Sequence, residues 1–396
     1  MFMNGRSIHN FEKRVSQAQK SMEESSISKT NKQLISYFID DCYKSGIGSA
    51  RISKCITTMK LIAQSMNKDL DKVTPKDITT YLVANEKKDY AEWTKQSYKV
   101  MIKKFYKWLG KYKNNKDFIT MVEDIKTTVP KTRQKLPSDL LTEEDILKLI
   151  NSVYTFRDKA LISLLYETGA RVDEIGSMQI RDLIFDADGG VVILSGKTGM
   201  RRVRIVSSEI ILKHYLEERT GNKTQESSLW TKENGEQITY AAITKVIRCA
   251  VDRAGIQKHV HPHLFRHSRA TFLANRLTEA QMNNYLGWTQ GSNMAKTYVH
   301  LSGRDVDDAI LSMYGKKQKQ EVNETKLVPI KCKRCNEVNP AGSSFCLRCG
   351  APLSVEVMLE MDTGRKVGDD IIAKLWADED VKKLIAQKIN LINTKN

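Results

Sequence analysis

The stretch from Gly190 to Val206, GVVILSGKTGMRRVRIV, decides the fold. Two short β-branched runs, Gly190 to Leu194 and Val203 to Val206, flank the turn Ser195-Gly196-Lys197-Thr198-Gly199, a pattern that predicts a β-hairpin. Both sides of it read as helix. Upstream, Thr142-Glu143-Glu144-Asp145 resembles a capping box, with Asp in place of Glu or Gln, ahead of Ile146, Leu149, Ile150 and Val153. Asp158 to Glu167 is then an apolar helix with Gly169 at its exit, and beyond the hairpin helical patterns resume from Ser208 to about Tyr314. The predicted class is mainly α (α+β), mostly helical with one small antiparallel sheet.

The remaining chain divides by composition. Residues 1–28 are polar and read as an N-terminal extension. A helical pattern fills 29–115, where Thr74-Pro75-Lys76-Asp77 supplies a hydroxyl cap, a first-position proline and a carboxylate facing exposed amides. Eight lysines and no acid occupy 95–116, among them Lys95, Lys99 and Lys103. Such a run is either a solvated face or a surface that tracks phosphates, and Arg51 and Lys54 are further candidates for DNA contact. Residues 116–138 read as a basic linker, 139–315 as a second domain, 316–331 as another basic linker, 332–354 as a cysteine module and 355–396 as an amphipathic helix.

The 396 residues carry 64 Lys and Arg against 47 Asp and Glu, a formal net charge of +17. That excess points to a polyanionic partner, because each neutralised phosphate releases condensed counterions. The apolar stretches are too short to cross a bilayer and the first residues lack a signal-peptide core, so the expectation is a soluble cytoplasmic protein associated with the nucleoid. Of seven cysteines, Cys42, Cys55 and Cys249 are scattered and read as small hydrophobes. Cys332, Cys335, Cys346 and Cys349 form two C-x2-C pairs, the spacing of a closed four-cysteine site for one structural zinc ion, a zinc ribbon. Zinc would supply folding energy that so short a module cannot bury for itself.

Several short motifs follow one another in the second domain. Thr168-Gly169-Ala170-Arg171 is followed by Glu174, one turn on, which alone could be a helix salt bridge. His261 to His267 contains His263-x-x-Arg266-His267, followed by Leu286-Gly287-Trp288 and Thr297-Tyr298-Val299-His300. Leu264 stands where a zincin-type pair of histidines would need glutamate. Taken together, these motifs and the hairpin resemble the tyrosine recombinase (phage integrase) family over roughly residues 29–315. The resemblance implies a core-binding, SAM-like domain at 29–115 and a catalytic domain at 139–315. It implies Arg171, Lys197, His263, Arg266, Trp288 and Tyr298 as catalytic residues, with Glu174 and His267 in support. Trp288 stands where most members carry histidine, and ten residues separate it from Tyr298. It further implies strand exchange on double-stranded DNA by a tetramer through a 3′-phosphotyrosyl intermediate, without ATP or a catalytic metal. A segment after the nucleophile, Arg304–Tyr314, would dock on a neighbouring subunit.

That residue set suits the chemistry. Two guanidiniums can clamp the non-bridging oxygens of a phosphodiester as charge grows on them. A tyrosine with an ordinary pKa of about 10 needs a base, for which His263 is the candidate, and Lys197 can protonate the leaving 5′-oxygen. The indole N–H of Trp288 can only donate. Two other readings use the same residues: a type IB topoisomerase, and a DNA-binding regulator that keeps the fold without the reaction.

Overall fold

The computed structural model describes residues 7–128, 139–196, 199–274, 276–292, 294–301, 314–315 and 325–393. The chain divides into two compact units, His9–Lys135 and the combination of Met1–Ile8 with Leu136–Asn396.

The first unit is helical: α1 (Phe11–Glu23), α2 (Lys29–Lys44), α3 (Ser49–Met66), α4 (Pro75–Glu86), α5 (Glu92–Tyr112) and the single turn α6 (Asp117–Thr120). Local chemistry sets the starts. Thr74 accepts the Asp77 amide while Asp77 accepts the Thr74 amide at 2.8 Å, and Pro75 opens α4 where its missing N–H costs nothing. The core is built from Ile35 and Phe38 of α2, Ile52, Ile56 and Met59 of α3, and Ile102, Phe105 and Leu109 of α5. Two boundaries differ from the sequence reading. Residues 1–28 are no mere extension, since α1 packs on α3 and buries Val15 and Met22. Nor does the linker begin at 116, because Val122 is fully buried in the same core. Gly110 explains this return: a Cβ there would lie 2.6 Å from Ile119 Cγ1, so only glycine lets the chain fold back onto α5.

The second unit contains α7 (Glu143–Asn151), α8 (Phe156–Thr168), α9 (Val172–Gly176), β1 (Leu183–Asp186), β2 (Gly189–Gly196), β3 (Gly199–Ile205), α10 (Glu209–Glu218), α11 (Tyr240–Ala254), α12 (Pro262–Ala274), α13 (Glu279–Leu286) and α14 (Met294–Leu301). The sheet is antiparallel in the order β1-β2-β3, with Val192 opposite Val203 and Gly196 opposite Gly199. The hairpin is therefore present and longer than its β-branched runs, and a strand absent from the sequence reading, β1, pairs along its outer edge. Lys197 and Thr198, at the turn, lie outside the described residues, as do residues 304–313 of the expected docking segment. Helix α8 is buried all round, which is why it reads as an unbroken apolar run. Its one buried carboxylate, Glu167, accepts the amides of Val206, Ser207 and Ser208 at 2.7–2.9 Å and so ties the end of α8 to the start of α10. A second small core joins α12, α13 and α14 through Ala270, Ala274, Met282, Leu286, Trp288, Ala295 and Tyr298.

The tail belongs to this unit. Lys326 donates its amide to Glu143 at 2.8 Å, Leu327 and Ala341 join the main core, and Asn151 donates to the Gly342 carbonyl at 3.3 Å. A two-stranded ladder, β4 (Ile330–Lys331) with β5 (Val338–Asn339), carries the cysteine module. Two helices follow where one was expected, α15 (Val355–Ala377) and α16 (Glu379–Asn393), with the break at Asp378. Among the described residues no helix is long and apolar enough to cross a membrane.

Candidate active site

Arg171 sits at the N-cap of α9, where the chain turns after the left-handed Gly169. Its amide donates to Glu174 Oε2 and its Nη1 to Glu174 Oε1, both at 2.9 Å. Glu174 is almost wholly buried, and a second arginine completes its partners: Arg201 of β3 donates through Nη1 at 3.0 Å and Nη2 at 2.7 Å. Burial pushes the Glu174 carboxyl up, but the bidentate Arg201 and then Arg171 outweigh it and hold the group below its ordinary range. Two glycines of the sequence motifs make room for this pair. A Cβ on Gly196 would lie 2.3 Å from Glu174 Oε1, and one on Gly287 would lie 2.8 Å from Arg201 Nη1. Gly287 is also the left-handed cap of α13 (φ +64°), so both demands select the same residue.

Arg266, on α12, is buried and donates to the carbonyls of Gly169 at 2.8 Å and Leu286 at 2.6 Å. It is thus fixed between the exit of α8 and the end of α13. Burial, reinforced by the charge of Arg171, pushes its pKa down to about 10. Its guanidinium lies 5.4 Å over the Trp288 ring, whose centroid is 5.4 Å from that of Tyr298 at an interplanar angle of 9°. Tyr298 is only 4% exposed. Burial raises its pKa, against the pull of Arg266.

The tyrosine hydroxyl meets His267 rather than His263: His267 Nδ1 lies 2.5 Å from Tyr298 Oη. His263, one turn away, is exposed and its ring centroid is 5.5 Å from that of His267. Tyr285 is not a rival at this centre, since its hydroxyl donates to the Glu167 carbonyl at 2.9 Å. Arg171, Glu174, Arg266, His267, Trp288 and Tyr298 thus converge. The pairing of Arg201 with Glu174 was beyond reach of the motif reading, because 27 residues separate the two in the chain.

The basic residues singled out in the helical unit are largely engaged. Lys95 pairs with Glu92 at 3.0 Å, Lys99 with Glu86 at 2.5 Å, and Lys103 donates to the carbonyls of Glu123 and Ile125. Lys54 donates to Ser97 Oγ at 3.0 Å, and Arg51 is exposed. The run that is acid-free in sequence is not acid-free as a surface.

The four cysteine sulfurs lie within 4.8 Å of one another, with Cys332 to Cys349 at 3.7 Å and Cys335 to Cys346 at 3.6 Å. A tetrahedron with Zn–S bonds of about 2.3 Å has edges of about 3.8 Å, so the donor set fits zinc. The two knuckles repeat one design. Asn336 (φ +63°) and Gly350 (φ +70°) each stand four residues after the first cysteine of a pair and donate to its carbonyl at 2.9 Å. The amide of Cys335 donates to Cys332 and lowers its thiol pKa, favouring the thiolate that a metal takes.

Comparison with known proteins gives the site its context. Residues 139–304 match the model of the phage integrase family. This chain carries a phage integrase domain. Tyrosine recombinase XerC of Oceanobacillus iheyensis is 26% identical over 255 residues, spanning 61% of this chain and 81% of the relative. Tyrosine recombinase XerD of Bifidobacterium longum is 26% identical over 263 residues, 62% of this chain and 83% of the relative. Among solved structures, XerH site-specific recombinase bound to difH substrate superposes with a TM-score of 0.52 at 20% identity, covering 73% of this chain and 92% of that one. A lambda integrase dimer bound to a COC′ core site gives 0.54 at 17% identity, covering 69% and 78%. These likenesses establish the recombinase fold. The matched integrase segment contains every residue of the converging cluster and stops short of the cysteine module.

Proposed function

We propose that this chain is a site-specific DNA recombinase that cuts and rejoins duplex DNA through a covalent 3′-phosphotyrosyl intermediate, working in a synaptic tetramer. One observation carries the reading: a buried tyrosine has a histidine nitrogen 2.5 Å from its hydroxyl and stacks on an indole whose face an anchored arginine covers. In the proposed step Tyr298 Oη bonds to phosphorus and its proton passes to His267, with His263 next in line. The 5′-oxygen leaves with its bonding pair and takes a proton, the role the resemblance gives Lys197. Arg171 and Arg266 stabilise the charge that grows on the non-bridging oxygens. Of the five donors of Arg266, two are spent on backbone carbonyls, which fixes its direction and leaves the others for phosphate. Rejoining is the same step reversed with a new 5′-hydroxyl.

The module at Cys332, Cys335, Cys346 and Cys349 would hold one zinc ion in a saturated, structural site. Its flanking Lys331, Lys333, Arg334 and Arg348 suit phosphate contact more than chemistry. The test uses a nicked suicide substrate carrying the chain's own crossover site. Tyr298→Phe should abolish the covalent adduct while leaving DNA binding within about threefold, since the ring and its stack on Trp288 remain. An adduct formed by that variant would remove Tyr298 from the mechanism.

A further inference from the structure

Helix α15 buries none of its 23 residues. Val357, Met361, Gly364, Gly368, Ile371 and Leu375 follow one another at spacings of four, three, four, three and four, a heptad seam that runs to the break at Asp378. Met361, Ile371 and Leu375 on that seam are 51%, 53% and 49% exposed, and Met358, Val367 and Ile372 beside it are similarly bare. On the seam side Met358, Met361, Val367, Ile371, Ile372 and Leu375 each leave about half of the side chain uncovered, a continuous apolar strip of the kind that marks a protein contact.

The composition of the helix narrows what covers it. Five carboxylates (Glu356, Glu360, Asp362, Asp369, Asp370) outnumber three bases (Arg365, Lys366, Lys374) in a chain of net charge +17. An acidic helix disfavours nucleic acid and anionic lipid alike, which leaves protein as the partner this charge balance suits best. The residues beside the seam then favour a copy of the same helix. In a parallel, in-register pair, Glu360 of one copy falls opposite Arg365 of the other, and Val367 opposite Ile372, as flanking positions five residues apart do. An antiparallel pair centred on the two glycines would instead set Arg365 against Arg365. Gly364 and Gly368 meet no atom within 4 Å of where a Cβ would stand, so the apolar contacts of a parallel pair fall to Met361, Ile371 and Leu375 on either side of them.

We infer that α15 joins two copies of this chain as a parallel two-stranded helical pair, independently of DNA and of the reaction. The proposal does not rest on the recombinase reading. Sedimentation equilibrium of the full-length, zinc-loaded protein without DNA tests it. The wild type should dimerise at micromolar concentration, and Ile371→Glu with Leu375→Glu should weaken the dimer roughly a hundredfold or more, because each copy would bring two carboxylates into the seam. Both positions are exposed in the single chain, so circular dichroism should show the fold intact. Orientation is read by charge exchange: Glu360→Arg and Arg365→Glu should each loosen the dimer, and the two together should restore it. A wild type that stays monomeric to about 50 μM, or a seam variant that dimerises as tightly as the wild type, overturns the inference. A double exchange that fails to restore the dimer overturns the parallel arrangement.

Discussion

Glu174→Gln is the most informative single change. The substitution keeps shape and one acceptor oxygen but replaces the other with an amide nitrogen that faces the donors of Arg201. Both partners are nearly sealed from water, with side-chain exposures of 2% for Glu174 and 6% for Arg201, so the arginine charge is left buried without its counter-ion. Removing one member of a buried pair costs about 3–5 kcal/mol, which for a unit of this size lowers Tm by roughly 6–20 °C. Arg171 loses half of its anchorage at the same time, and adduct formation should fall by more than ~100-fold. Adding Arg201→Met separates the two effects: stability should largely return because no charge is left unpaired, while cleavage stays low. The ordinary pair also has a pH signature. Its carboxyl is held below the ordinary range when folded, so its contribution is complete above the unfolded carboxylate pKa and fades as pH falls through the folded value. Urea titrations between about pH 3 and 7 should show that acid-side loss in the wild type and less of it in Glu174→Gln. A Glu174→Gln protein as stable and as active as the wild type would refute the reasoning.

Two histidines divide one task differently in sequence and in structure, and His267→Ala against His263→Ala decides between them. Loss of His267 should slow adduct formation by about 100-fold or more, and a larger effect at His263 would return the base to the exposed ring. Chelating the metal, or Cys346→Ser, should release about one zinc per chain and loosen the Thr325–Leu327 and Gly342 contacts to α7, seen as faster amide exchange in α7. A purified protein without zinc would end that assignment. Gly196→Ala should destabilise the second unit by about 1–3 kcal/mol in thermal unfolding, as the new methyl meets a carboxylate held from two sides.

Both capping boxes were legible in advance because a cap is written in four consecutive residues, at Thr74 to Asp77 and at Thr142 to Asp145. The same locality made the hairpin readable, and the cluster of Arg171, Arg266, Trp288 and Tyr298 was reachable as a set of short motifs. What escaped depended on distance. Helix α1 looked like a polar extension because only Val15 and Met22 of its residues are buried, too few to make a stripe. The lysines of α5 looked free because Glu86 and Glu92 stand before the run and Glu123 and Ile125 offer their carbonyls after it. Arg201 and Glu174 meet only once the hairpin has closed, and no spacing rule spans that gap. Helix α15 breaks at Asp378, where an apolar pattern continuing into α16 had suggested a single face.

The stack of Tyr298 on Trp288 has a consequence for accuracy. On the function proposed above, a nucleophile able to join any phosphodiester would endanger every duplex the protein touches, and a genome offers about 10⁶–10⁹ wrong sites for each right one. Here the hydroxyl keeps its bond to His267 but is nearly sealed from solvent beside an indole, so a phosphodiester must first displace that cover to reach it. Each 1.4 kcal/mol of this holding free energy cuts the reactive fraction about tenfold. A correct site can return it through the full set of contacts, whereas a passing sequence returns only part. The buried tyrosine therefore acts as a kinetic threshold, and fidelity is set as much by how tightly the resting state is closed as by how well the right DNA is gripped.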